Sequence, residues 1–187
     1  MQSPPVRRPP IRGLTVVALA ALACGGGPAT GPDARMDRRA AAPIQTDRPV
    51  YALGPGPSGG VEVTIGLRYE NATGGPAYIP TCHGVHPPEL QKRVGSSWVT
   101  VYSPVVLLCL GPPVVVQPGG VYTYAYRVVA YPRGGDMYPQ FELDETPGTY
   151  RLAWGIYETW TPDGPEPGLG RLLPLAARVS NEFQLTE

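Results

Sequence analysis

Residues 61–69 read VEVTIGLRY. Val61, Val63, Ile65, Leu67 and Tyr69 alternate with Glu62, Thr64, Gly66 and Arg68. Side chains on a strand point to opposite faces with a period of two, so this run gathers its large apolar groups on one side. A strand patterned in this way is half-buried, with one face on a core and one in water, as in an antiparallel sheet. The stretch NATGG at residues 71–75 then ends the strand with turn chemistry, Asn bonding its own backbone and Gly tolerating positive φ.

Outward from this strand, residues 76–80 (PAYIP), 97–102 (SWVTVY), 105–110 (VVLLCL) and 112–116 (PPVVV) read as further strands. So do 121–130 (VYTYAYRVVA), 149–158 (TYRLAWGIYE) and 179–186 (VSNEFQLT). Pro-Gly and Gly-Gly pairs separate several of them. No segment after residue 46 carries a 3.6-residue apolar stripe. The expectation is an all-β domain, an antiparallel β-sandwich, over residues 47–187. Residues 24–46 (CGGGPATGPDARMDRRAAAPIQT) lack periodicity and read as a flexible, disordered tether. A short helix over 34–42 would be marginal in isolation.

Four islands carry a resemblance: LQKRVGSSWVTV (90–101), VVVQPGG (114–120), PGTYRL (147–152) and SNEFQL (180–185). In this order, after the Asn-containing turn at 68–71, they look like the bacterial immunoglobulin-like domains of envelope lipoproteins. The bacterial intracellular proteinase inhibitors are similar. The resemblance implies an immunoglobulin-like β-sandwich and leaves function open, because sandwich folds host many functions. The Gly148-Thr149-Tyr150 step also resembles the tyrosine corner of Greek-key sandwiches, which implies a structural role for Tyr150.

The N-terminus reads as an export signal. Arg7, Arg8 and Arg12 form a positive region, LTVVALAAL (14–22) an apolar one, and Ala23 precedes Cys24 and three glycines. An apolar run of about ten residues is too short for a membrane-spanning helix and suits a signal peptide over residues 1–23. The boundary resembles that of bacterial lipoproteins. The resemblance implies lipidation at Cys24 and an address in the cell envelope, tied to a membrane on its non-cytoplasmic side. A plain secretory signal, giving a periplasmic or secreted protein, is the alternative.

The chain has 15 Lys+Arg and 15 Asp+Glu; removing 1–23, with its three arginines, leaves a mature charge near −3. A nucleic-acid partner would require a basic stripe, and none is seen. The cysteines are Cys24, Cys82 and Cys109. An odd count in an exported chain poses the question of a leftover thiol. Lipidation of Cys24 answers it and leaves Cys82 and Cys109 to form a disulfide, worth about 3–4 kcal/mol on the loop-entropy estimate.

The segment CHGVH (82–86) is the one chemical-looking motif. Cys82, His83 and His86 together could hold copper or zinc. The competing reading is a disulfide at Cys82 with two solvated histidines, and it sets the expectation: no metal and no cofactor. Tyr122, Tyr124 and Tyr126 share one strand face and, with Trp98, Trp154, Trp160 or Tyr157, could form a platform for glycan or peptide. Equally, tyrosine simply fits a half-buried pleat. Glu142, Asp144 and Glu145 read as a solvated acidic loop rather than a Ca²⁺ site. The Asn71-Ala72-Thr73 sequon is what a turn produces by chance. No Gly-x-Ser-x-Gly or phosphate loop occurs.

The expected role is therefore a non-catalytic envelope binding module, its partner an envelope protein or a glycan. The alternative is a proteinase inhibitor acting through residues 131–140 (YPRGGDMYPQ) or 160–170 (WTPDGPEPGLG), both rich in Pro and Gly.

Overall fold

The computed structural model of the chain describes residues 42–106, 111–143, 145–161 and 168–187. In chain order the strands are β1 Ile44–Thr46, β2 Val50–Ala52, β3 Gly54–Pro55, β4 Val61–Glu70, β5 Ala77–Thr81, β6 Glu89–Val94 and β7 Ser97–Tyr102. They continue with β8 Gly111–Val116, β9 Val121–Ala130, β10 Gly148–Ala153, β11 Trp160–Thr161, β12 Gly168–Leu169 and β13 Phe183–Thr186. The only helical elements among the described residues are short 3₁₀ turns at Pro57–Gly59 and Leu175–Ala177.

The alternating run at 61–69 lies within β4, the centre of one sheet. Its whole length pairs antiparallel with β9, from Val61 opposite Ala130 to Glu70 opposite Val121. On its other edge β1 pairs with one end and β3 with the other. The second sheet runs β2-β13-β10-β6-β7. Its pairs are antiparallel except β2 with β13, which are parallel. Two further pairs, β5 with β8 and β11 with β12, complete the all-β architecture. The β5–β8 ladder shifts register between Ile79 and Thr81, at Pro80, which has no N–H to give the ladder.

The inner faces of the two large sheets share one core. Val63, Ile65, Leu67, Tyr69, Tyr126 and Val128 come from the first; Leu90, Val101, Leu152, Phe183 and Leu185 come from the second. Burying each aliphatic side chain contributes about 1.5–3 kcal/mol. Polar links also cross between the sheets: the Tyr102 hydroxyl donates to the Val129 carbonyl at 3.0 Å. On β4, Thr64, Arg68 and Glu70 are exposed while Val63, Ile65, Leu67 and Tyr69 are buried, as the alternation predicts.

Several boundaries differ from the sequence reading. The ordered fold takes in β1, which that reading places in the tether; Ile44 is fully buried, and its pairing with Tyr69 explains why. Strand β10 stops at Ala153, because the Trp154 amide turns to the Arg178 carbonyl and the Ile156 amide to that of Trp154. The strand expected at 105–110 is not seen at 103–106, and 107–110 lie outside the described residues. Strand β6 is missing from the sequence reading because its inward positions are Leu90 and Lys92, which break the apolar alternation. The Lys92 ammonium is satisfied by donating to the Glu145 carbonyl. The expected signal peptide, Cys24, and nearly all of the expected tether and helix at 34–42 lie outside the described residues.

Candidate functional site

The CHGVH motif folds into a tight turn after β5. The Cys82 amide donates to the Gly84 carbonyl at 2.7 Å and the His86 amide to the Pro80 carbonyl at 2.9 Å. His83 takes φ of +52° and Gly84 +151°, the first tolerable for His in a turn and the second favouring glycine. The turn separates the two imidazoles. His83 is exposed, while His86 is half-buried with Nε2 shut away from solvent and, among the described residues, without a hydrogen-bond partner. Burial lowers the His86 pKa below its ordinary value, so the ring stays neutral at pH 7. Among the described residues, no group of three or more His, Cys, Asp or Glu is placed to hold a metal ion. Cys109 lies outside the described residues, so the expected Cys82–Cys109 pairing is not described.

The tyrosine stripe of β9 turns inward. Tyr126 is buried, and Tyr122 and Tyr124 are half-buried against Trp154, with ring centroids 6.2 and 5.6 Å away. Of the aromatic partners weighed from sequence, Trp154 is the one that joins the stripe. It does so in the core, which fits the pleat reading over a ligand platform. Trp98 lies instead among the guanidinium groups of Arg93 and Arg151, 4.9 and 4.6 Å from its ring centre.

Residues singled out by motif prove structural. Asn71 is fully buried; its amide nitrogen donates to the carbonyls of Gly75 and Val116, and its side-chain oxygen accepts from Thr73. A side chain so used has no amide to offer a glycosyltransferase. The Tyr150 hydroxyl donates to the Thr146 carbonyl, four residues back, as the corner motif implies. Gly148 sits at φ +151°, where a Cβ would stand 2.7 Å from Lys92 Cε. Glu142 is exposed and its amide bonds the Val101 carbonyl; Asp144 lies outside the described residues.

The connection at residues 131–140 holds exposed apolar side chains on a hydrogen-bonded backbone. The chain leaves β9 and returns, closed by the Tyr131 amide donating to the Pro139 carbonyl at 2.9 Å. One side chain braces the interior. Gln140 Oε1 accepts from the Gly134 amide at 3.1 Å, and Nε2 donates to the carbonyls of Gly135 and Met137 at 2.7 Å each. The Tyr138–Pro139 peptide is cis. On the outside of this braced turn stand Met137 and Tyr138, 50% and 68% exposed. Large apolar side chains held out on a fixed backbone form a preorganised contact surface. The other candidate loop begins at β11 and ends at β12, and its residues 162–167 lie outside the described residues.

Compared with family models, with curated proteins and with solved structures, the chain matches none. Among the described residues, no helix is long and apolar enough to cross a membrane.

Proposed function

We propose that this chain is an exported, lipid-anchored interaction module of the bacterial cell envelope, without catalytic activity, that meets its partner through residues 131–140. The observation that carries the reading is the Gln140 brace beneath Met137 and Tyr138. An aromatic and a methionine presented on a rigid loop supply contact area at low entropic cost, and such side chains dominate protein interfaces. Covalent crosslinking from position 138 in cells tests it.

An immunoglobulin-like sandwich is the finer fold assignment within this proposal. It is supported by the way the N-terminal strand divides between sheets, β1 pairing antiparallel with β4 and β2 parallel with β13. The corner formed by Tyr150 supports it as well. Lipidation at Cys24 supplies the membrane attachment, since two acyl chains give stable anchoring. Cys24→Ala should move the protein from the membrane fraction to the soluble exported fraction. A Cys82–Cys109 bridge belongs to the same reading. Thr81, next to Cys82 in sequence, pairs with Gly111, two residues after Cys109, and an oxidising compartment favours the bridge.

The same loop favours one second reading, proteinase inhibition, because bracing at three backbone groups keeps a peptide segment from relaxing inside a protease cleft. A panel of endoproteases decides it. Inhibition that is lost in Tyr138→Ala supports the inhibitor reading, and absence of inhibition across the panel removes it.

A further inference from the structure

A cavity of about 350 Å³ opens beside the CHGVH turn, and neither the interaction loop nor the core uses it. Its polar wall groups are His86, Glu89, Ser103, Tyr157 and Arg178. Its apolar walls come largely from Pro80, Pro87 and Pro104, whose rings fix φ and make the walls stiff. The volume is within the range of small-molecule sites.

Arg178 is the group that sets the chemistry. It is half-buried, and its guanidinium is fixed by two backbone carbonyls: Nε donates to Leu173 at 3.0 Å and Nη1 to Trp154 at 3.2 Å. Among the described residues, no carboxylate pairs with it, whereas Arg48, Arg68, Arg93, Arg127 and Arg171 each have one. Among the described residues, Nη2 makes no hydrogen bond, on a planar group already oriented by its Nε and Nη1 bonds. Charge-assisted bonds from a fixed guanidinium suit a carboxylate. Glu89, the one acid among the described wall residues, is exposed and accepts from the Thr100 hydroxyl at 3.4 Å. His86 is held in place from both sides, its amide bonded to Pro80 and its carbonyl accepting from Trp154.

We propose that this cavity binds a carboxylate on an apolar body, the carboxylate on Arg178 and the body against the proline walls and Leu172. Two sources offer that chemistry: a free small carboxylic acid, and the C-terminus of a peptide.

The test uses the full chain, solubilised in detergent, and reads the imidazole NMR signals. The chain has two histidines, so His86 reports on the cavity and exposed His83 serves as control. N-acetyl-leucine should shift the His86 signal with saturation and leave His83 unmoved, and N-acetyl-leucine methylamide should not. A short peptide ending in leucine with a free C-terminus, set against its amidated form, separates the sources. Tighter binding of the peptide points to a chain terminus, and equal or weaker binding to a free acid. Arg178→Lys should weaken binding by roughly tenfold, because a point charge replaces an oriented fork. Since Arg178 also supports the backbone, Leu172→Trp provides a second variant that fills the cavity without touching the guanidinium bonds; it should abolish binding. Equal response to the acid and the methylamide, no saturable His86 shift, or undiminished binding in Leu172→Trp would overturn the proposal.

Discussion

The indole Nε1–H of Trp154 donates to the backbone carbonyl of His86 at 2.7 Å. Trp154 is buried in the core beside Tyr124, so this bond ties the one chemical-looking turn of the chain to its hydrophobic centre. Trp154→Phe keeps an aromatic ring and removes the donor. The part-buried carbonyl then loses its partner, at a cost of about 1–2 kcal/mol, with some packing loss added. Urea denaturation should show that decrease. The His86 imidazole signal should broaden or move while that of His83 stays put. An unchanged His86 signal would mean that the bond does not position the turn.

The two faces of β4 should respond differently to substitution. Val63→Asp or Ile65→Asp buries an unpaired charge in the shared core and should destabilise by more than about 4 kcal/mol, or prevent folding. Arg68→Ala removes an exposed ion pair with Glu70 and should cost less than about 1 kcal/mol. Thermal melts followed by circular dichroism check both. Equal sensitivity on the two faces would contradict the layered core.

At the β10 corner, Tyr150→Phe should cost about 1 kcal/mol through the lost bond to Thr146. Gly148→Ala should cost more. Its Cβ meets Lys92 Cε, and its φ of +151° is one that a side chain rarely adopts. Equilibrium unfolding of the two variants gives the order. A Gly148→Ala protein as stable as the parent would refute the close approach of Lys92.

Alkaline pH should unfold the protein cooperatively. Burial pushes the Tyr69 hydroxyl up to about 12, and burial together with its bond to Asp47 does the same for Tyr51. Tyr102, Tyr122, Tyr124, Tyr126 and Tyr150 are raised in the same direction, chiefly by burial. The folded state therefore holds these protons more tightly than the unfolded chain. The resulting stability is full below pH 10 and is lost as pH rises from there through 12. Tyrosinate absorbance and loss of the strand signal should rise together above pH 10. Gradual ionisation around the ordinary tyrosine value with the fold intact would show that these hydroxyls are wetter than the structure places them.

Much of this architecture is legible in the sequence wherever period two is clean. Val63 to Tyr69 follow from alternation alone, and the Gly148–Tyr150 motif foretells its corner; alternation sets Tyr122, Tyr124 and Tyr126 on one face of β9, but only the packing makes it the inner one. Strand β6 is not legible, because Lys92 points inward and its charge is answered by a carbonyl more than fifty residues away. Strand β1 is too short to show a period; only Tyr69, across the ladder, explains why Ile44 is buried. The candidate site divides in the same way. Residues 131–140 stand out in sequence by their Pro and Gly content, but the Gln140 brace and the exposure of Met137 and Tyr138 require coordinates. Nothing in the sequence singles out Arg178 or joins it to His86. The two are brought to one cavity by loops that packing places, not by a local pattern.

The proposed function places the partner contact on the braced loop at 131–140. A photo-crosslinking residue placed at Tyr138 in the full chain, expressed in its own cells, tests that most directly. Position 115 is the control, since Val115 is also exposed and apolar but lies on β8. One discrete adduct is expected from position 138, none from 115, and a much weaker adduct when Gln140→Ala removes the brace. Equal adducts from 138 and 115, no adduct from 138, or indifference to the loss of Gln140 would contradict it.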